Sequence, residues 1–425
     1  MIAKAKLQEQ TGELRLWQHG AIFIFACAIL IARRPDAIYN AQFFQEDGHV
    51  WFADAYNFGW WAGLFRIYEG YHHVSLRLVA SLALLAPLRF APLVLNVVAI
   101  ATQALPANLI LSARSSAWGS VRFRALLAGI YLVLPNTNEM LNDISQSQWP
   151  LTLCAFLLIV GCVPTGVAGR LLDMSIVLLI GLTGPECVFL LPVALFLAWR
   201  REESWRWVAP GILAATCFIQ AWPLLHGGLS SRPHFALGAS PTMLTRILAG
   251  DVYLGALLGS NGLAAAPSAG VFISLSLVTV VGTFLIVCCY VRSPVEMKLF
   301  VLLTSALLAA SLISPSAYPP AGVSVWQFLA GSGGIRYWYF PTLVFAWSIL
   351  WCYRSRAIPV RAISGLLLCL MCFGIIRDFR YPALKDLHFA QDVKRFEAVA
   401  PGTAFVFPQN PQGWNLTLVK RPSGR

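Results

Sequence analysis

The chain has 425 residues, of which 58% are apolar and 12% charged, against roughly 25% charged in a soluble domain. A water-soluble core of this length cannot hide so much apolar surface, so a soluble globular protein is excluded and lipid is the expected solvent. The formal net charge of +12 does not argue for a nucleic-acid partner. The cations stand in short clusters between apolar runs, where cytoplasmic loops of membrane proteins collect them.

The first apolar run, 17–33, follows Lys4, Lys6 and Arg15 and lacks a small-residue cleavage site. It reads as a retained span with the N-terminus cytoplasmic. A long external loop, 34–90, follows. Within it the run 74–88 is short, carries Arg77 and is followed by Arg89, so it is expected to lie at the interface rather than cross. Further runs lie near 91–112, 124–137, 148–163, 171–182, 186–199, 207–224, 268–291, 297–314, 335–353 and 359–377. Each is expected to be helical, because an apolar segment in lipid must satisfy its own backbone.

About eleven crossings result. The cytoplasmic loops then hold Arg114, Arg122 and Arg124; Arg170; Arg200, Arg201 and Arg206; Arg292 and Lys298; and Arg354, Arg356 and Arg361. That alternation follows the positive-inside rule, with Arg33 and Arg34 as its one departure. It leaves 34–90, 225–267 and 315–334 outside. The tail, 378–425, joins them and reads as a small soluble segment attached to a transmembrane domain over 1–377. The expected fold is all-α: a polytopic transmembrane helical bundle of a bacterial inner membrane, with a periplasmic C-terminus. The ten cysteines fall in or beside apolar runs, where they read as small buried hydrophobes rather than disulfides or metal ligands.

The first external loop carries the densest chemistry. Glu46, Asp47 and Gly48 lead into an aromatic stretch with Trp51, Phe52, Tyr56, Phe58, Trp60 and Trp61, suited to the headgroup region. Arg66, Tyr68, Glu69, Tyr71, His72, His73 and Arg77 follow, donors and cations suited to a phosphate. A carboxylate near the membrane surface is placed to take a proton from an acceptor hydroxyl while a lipid-borne donor stays in the bilayer. Asp47 is the expected base, with Glu46 its alternative. The polar hairpin of Asn136, Asn138, Glu139, Asn142, Asp143, Gln146, Gln148 and Trp149 faces the same compartment and offers hydrogen bonds to a sugar. So do Glu186, in a turn between short helices, and Arg336, which follows a Gly-Ser-Gly-Gly hinge and is a candidate phosphate ligand.

A first span followed by an acidic pair in a long external loop, a run of short spans and a C-terminal tail together resemble the GT-C superfamily of membrane glycosyltransferases. That superfamily includes protein O-mannosyltransferases and aminoarabinose transferases. Leu182-Thr183-Gly184-Pro185 is similar to a Leu-Thr-Lys-Gly-Pro turn often seen there, with the lysine absent and Glu186 following. The Glu-Asp-Gly element and Arg336-Tyr337-Trp338-Tyr339 also look like a little-characterised bacterial branch. The resemblance implies a polyprenyl-phosphate-linked sugar donor and a glycan, glycolipid or protein acceptor. It implies inverting transfer with an acidic first-loop residue as base; no cofactor is expected, no metal ligands are singled out, and a divalent-metal requirement stays open. By motif that residue is Asp47 or Glu46, in reversed order relative to the mannosyltransferases. Arg336, Arg66, His72 and His73 are then expected at the donor phosphate, and Asn138, Glu139, Gln148, Trp149, Glu186 and Tyr337 around the substrate.

Two other functions remain open from the residues. A surface-polysaccharide polymerase or ligase would use arginines and a histidine of a later loop, and 225–267 holds Arg232, His234 and Arg246. A lipid-linked glycan transporter or flippase would bury charges mid-span and show symmetric halves. The charges here stand at span ends and in external loops, which favours an enzyme.

Overall fold

The computed structural model describes residues 14–227, 235–264, 271–331 and 334–422. Every apolar run is a helix: Leu16–Arg33, Ala91–Leu111, Val121–Val133, Gln148–Val160, Val167–Gly181, Glu186–Arg200, Val208–Leu225, Val271–Arg292, Val295–Ile313, Ile335–Cys352 and Ile358–Asp378. Among the described residues six helices are long and apolar enough to cross a membrane, namely Leu16–Arg33, Leu88–Leu111, Ser204–Leu225, Leu275–Arg292, Val295–Ile313 and Ile358–Asp378. The chain is a multi-pass membrane protein built as a nearly all-helical bundle.

Helices Val121–Val133, Gln148–Val160, Val167–Gly181 and Glu186–Arg200 have 13 to 15 residues, about 20–23 Å against a hydrocarbon thickness of about 30 Å. Two helices are wrapped by others rather than by lipid, as helices apolar all round should be. Gln148–Val160 buries every residue after Gln148, and Ile335–Cys352 is buried from Trp338 through Leu350. Trp347 stacks on Trp118 and Phe300 at centroid separations of 5.5 and 5.1 Å.

Val74–Ala83 spans ten residues, about 15 Å, too short to cross. Leu76, Arg77, Ala80 and Ala83 are buried, while Leu78 and Leu82 stay exposed, the face pattern of an interfacial helix.

Three findings differ from expectation. The 225–267 loop is largely helical, through Pro241–Arg246, Ile247–Leu254 and Gly255–Ala264. It buries Ile247, Ala249, Val252, Tyr253, Ala256 and Leu257. Ahead of these helices, the Ala236 and Leu237 carbonyls accept from the Val325 and Trp326 N–H groups, and near the end of the loop Ser260 donates to Asp378. Both ends therefore meet segments that the charge alternation assigns to one face.

The tail is not a free appendage. Phe389–Ala398 is a helix, and β1 (Ala404–Gln409) pairs antiparallel with β2 (Trp414–Val419) in the register Ala404↔Val419 to Gln409↔Trp414. Phe389, Phe396, Phe407, Leu416 and Leu418 form one apolar cluster with Phe43, Val50 and Phe52 of the first loop. Burying each such side chain contributes about 1.5–3 kcal/mol, enough to fix hairpin and loop on one another.

Arg33 is the third. Its guanidinium is buried and donates to the Leu132 and Leu134 carbonyls at 3.0 and 2.9 Å and to the Thr137 hydroxyl at 3.2 Å. It satisfies carbonyls at the end of Val121–Val133 that have no helical partner, so it is a tie inside the protein rather than a loop charge.

Candidate functional site

One end of the bundle holds a cavity of about 240 Å³, walled by the first loop, the polar hairpin and the starts or ends of three helices. Each wall is set by local backbone constraints. Glu69 and Gly70 both have positive φ, and the Tyr68 and Tyr71 backbones exchange hydrogen bonds of 3.1 and 3.0 Å across them. Such a tight turn needs left-handed residues at its centre, and it brings Tyr68, Glu69 and Tyr71 to the cavity. The Val74 N–H donates to the Leu182 carbonyl, and the Thr183 hydroxyl donates to Ser75 Oγ at 2.9 Å. The Leu-Thr-Gly-Pro turn is thereby locked to the interfacial helix. A Cβ on Gly184 would stand 2.3 Å from Glu186 Oε2, so glycine leaves the space that the Glu186 carboxylate occupies.

The acidic pair divides. Glu46 lines the cavity, and its Oε2 has no hydrogen-bond partner. Asp47 is 1% exposed and points behind the wall. Its carboxylate accepts from the Ile144 and Ser145 N–H groups at 3.2 and 3.0 Å and from the Ser145 hydroxyl at 2.6 Å. Ser145 Oγ in turn accepts from the Trp51 indole at 2.8 Å. Asp143 shares the Ser145 N–H at 2.8 Å, so two carboxyls crowd one buried donor. Burial pushes Asp47 up to about 6 despite these donors, and burial with the adjacent Asp47 charge holds Asp143 well above the usual carboxylate range. Close buried carboxyls of this kind do not both ionise near neutrality. Of the two, Glu46 faces the cavity, and Asp47 anchors the hairpin to the loop.

Burial also raises the Glu46 carboxyl, with Arg336 opposing. Arg336 lines the cavity, pairing with Glu139 (Nη1–Oε1 2.8 Å) and donating to the Ser316 carbonyl at 2.7 Å. Tyr337 donates to the same carbonyl at 2.9 Å, and the Ser316 hydroxyl donates to Glu69 at 2.8 Å. Ser316 is a hub that sequence reading missed; a serine in an external loop carries no distinguishing signal. His73 lines the cavity with Nδ1 unpartnered, and burial next to Arg77 pushes it down to about 3. It is a neutral imidazole, unable to serve as a cation for phosphate at ordinary pH.

Of the residues expected at the site, Glu46, His73, Gln148, Trp149, Glu186, Arg336 and Tyr337 line one cavity, and Glu139 stands behind Arg336. Besides Asp47, three others fall outside it. Arg66 pairs with Asp54 at 3.1 Å and lies over the Phe58 ring. His72 is fixed through its backbone to the Gln220 amide. Asn138 spends its side-chain oxygen on the Glu139 N–H and its carbonyl on Arg34. Arg232 and His234 lie outside the described residues, and Arg246 is absent from the cavity wall.

Part of the wall is apolar, made by Leu76, Phe189, Leu307 and Ala310. Leu307 and Ala310 belong to Val295–Ile313, one of the six membrane-length helices. Hydrogen-bonding acids, a single guanidinium and an apolar flank suit a molecule that is part sugar-like, part anionic and part hydrocarbon. Neither a family model nor a curated protein matches the sequence.

Proposed function

We propose that this protein is a membrane glycosyltransferase that moves a sugar from a polyprenyl-phosphate-linked donor to a periplasmic or cell-surface acceptor. The carrying observation is the pairing, in one cavity, of the unpartnered Glu46 carboxylate oxygen with the Arg336 guanidinium beside an apolar wall. In this reading Glu46 takes the proton from an acceptor hydroxyl as its oxygen attacks the anomeric carbon with inversion. The bond from that carbon to the phosphate oxygen breaks, and the electron pair leaves with the phosphate, against Arg336. Burial supports Glu46 as a base, because a raised pKa makes a better proton acceptor near neutrality. Glu69, Glu186 and Gln148 accept or donate to sugar hydroxyls, and the apolar wall takes the first isoprene units.

The topology that goes with this reading has about eleven crossings of the bacterial inner membrane. The N-terminus is cytoplasmic, and the cavity and tail are periplasmic. It is supported by the run of eleven apolar helices and by the regular placement of arginines between them. The test is the pool of lipid-linked sugars in cells lacking the protein. One polyprenyl-linked species should accumulate, and cells carrying only Glu46→Gln should accumulate the same one. An unchanged pool in both strains would overturn the assignment.

A further inference from the structure

The end of the bundle opposite the carboxylate cavity holds a second cavity, of about 510 Å³, lined by Cys288, Arg292, Trp351, Cys352, Arg354, Ser355, Arg356 and Ala357. Arg336 and Trp351 mark the two ends of one helix, about 22 Å apart along its axis. The second cavity therefore lies against the other leaflet.

Three guanidinium groups meet here and no carboxylate lines the space. All three are exposed, but two of these are held in place by neighbouring side chains. Arg292 donates to Ser355 Oγ at 2.7 Å, and Arg354 lies over the Phe123 ring with its carbon 4.5 Å from the centroid. None of the three has a carboxylate partner among the described residues. Three like charges lining one hollow attract an anion, and a forked donor set matches phosphate oxygens. The floor is apolar and soft: Trp351, with the Cys288 and Cys352 thiols. Polar donors at the mouth above an apolar floor at bilayer depth fit a headgroup phosphate with its glycerol and upper acyl carbons.

We infer that the Arg292–Arg354–Arg356 cavity is a phosphate-binding site, suited to the headgroup of an anionic phospholipid in the leaflet opposite the carboxylate cavity. It is independent of the glycosyltransferase reading, since it uses none of the same residues.

Cys288, half-buried in the cavity wall, is a built-in reporter. The full-length protein is placed in phosphatidylcholine vesicles with or without phosphatidylglycerol, and maleimide labelling of Cys288 is followed by peptide mass spectrometry. Phosphatidylglycerol should slow labelling of Cys288 while leaving the exposed Cys162, in the turn after Gln148–Val160, unaffected. Arg292→Gln and Arg356→Gln should each weaken that protection by about fivefold, the share of one arginine at an anionic surface. Arg200→Gln, outside the cavity, should leave it intact. In a second arm, inorganic phosphate is added to the phosphatidylcholine vesicles. Protection there assigns the site to a free phosphate, and protection only by phosphatidylglycerol assigns it to lipid. Cys288 labelled equally under all conditions, or protection that survives in Arg292→Gln/Arg356→Gln, overturns the site.

Discussion

Glu139 and Arg336 stand 197 residues apart in the chain yet meet at 2.8 Å, with the Arg336 backbone N–H turned to the same carboxylate. The arginine therefore reaches the cavity already paired, and under the proposed function a donor phosphate would compete with Glu139 for it. Two substitutions should act in opposite directions. Arg336→Gln should weaken donor binding about 10- to 100-fold, the worth of a charge-assisted hydrogen bond or two. Glu139→Gln, by freeing the guanidinium, should tighten it. Donor affinity measured on the purified variants checks both signs, and equal weakening by the two would reduce Arg336 to a structural tie.

Turnover should separate the neighbouring acids. Under the proposed mechanism Glu46→Gln keeps the shape but removes the base, and turnover should fall about 100- to 10,000-fold with donor binding retained. Asp47→Asn instead puts an amide among three donors and should cost stability, about 1–3 kcal/mol for the mismatched buried group. Single-turnover transfer and thermal unfolding in detergent read the two separately. Full activity in Glu46→Gln would end its role as base.

The Asp47–Asp143 pair predicts a pH signature. Both carboxyls are raised by burial, Asp47 to about 6. A raised carboxyl binds its proton more tightly when folded, so its stabilisation is complete below the unfolded value of about 4 and is lost as pH rises through about 6. Asp143→Asn fixes one partner neutral. It should unfold at or above the wild-type temperature at pH 7, with the gap closing as pH falls toward 4. The neutral, buried His73 acts in the other sense in both proteins and cancels in the difference. A gap independent of pH would remove the shared-proton arrangement.

Much of the fold was legible because lipid imposes it: a run that cannot find water for its backbone must be helical. The 241–264 helices were not, because Asp251 and glycines at 250, 255 and 259 dilute the apolar run even though Ile247, Val252 and Leu257 are buried. For the acidic pair, adjacency hid the answer. A helical turn begins at Asp47, and only the position of Ser145, 98 residues later, decides which carboxylate it captures. The hairpin partners of the first loop lie some 360 residues downstream, beyond any local pattern.

That contact is testable at a glycine. The Gln45 N–H donates to the Asn410 carbonyl at 2.7 Å while Gln45 holds a positive φ. A Cβ on Gly48 would stand 2.3 Å from Gln409 Oε1 and 2.9 Å from Phe43. Gly48→Ala should cost about 1–3 kcal/mol by overpacking and lower transfer through Glu46, although no residue of the cavity wall has changed. Unchanged stability and activity would show that the hairpin and loop are not coupled.

Topology can be read with introduced thiols on a cysteine-free background. Ala62→Cys and Gln412→Cys, both exposed, should label together from the periplasm, and Arg356→Cys only after the inner membrane is opened. Asn57 bonds both Thr417 and Val419 at 2.9 Å, so loop and tail must share a compartment. Labelling of 62 and 412 from opposite sides would break the fold as well as the topology.

The same contact orders events during synthesis. Residues 42–57 are synthesised well before β1 and β2, the strands that seat Gln45 and cover Phe43 and Phe52. Until the Ile358–Asp378 helix has been inserted and the hairpin delivered beyond it, the loop bearing Glu46 has apolar rings without their cover. A nascent chain thus contains Glu46 and Asp47 long before their positions are fixed, and the cavity takes its final shape only once the β1–β2 hairpin has been made.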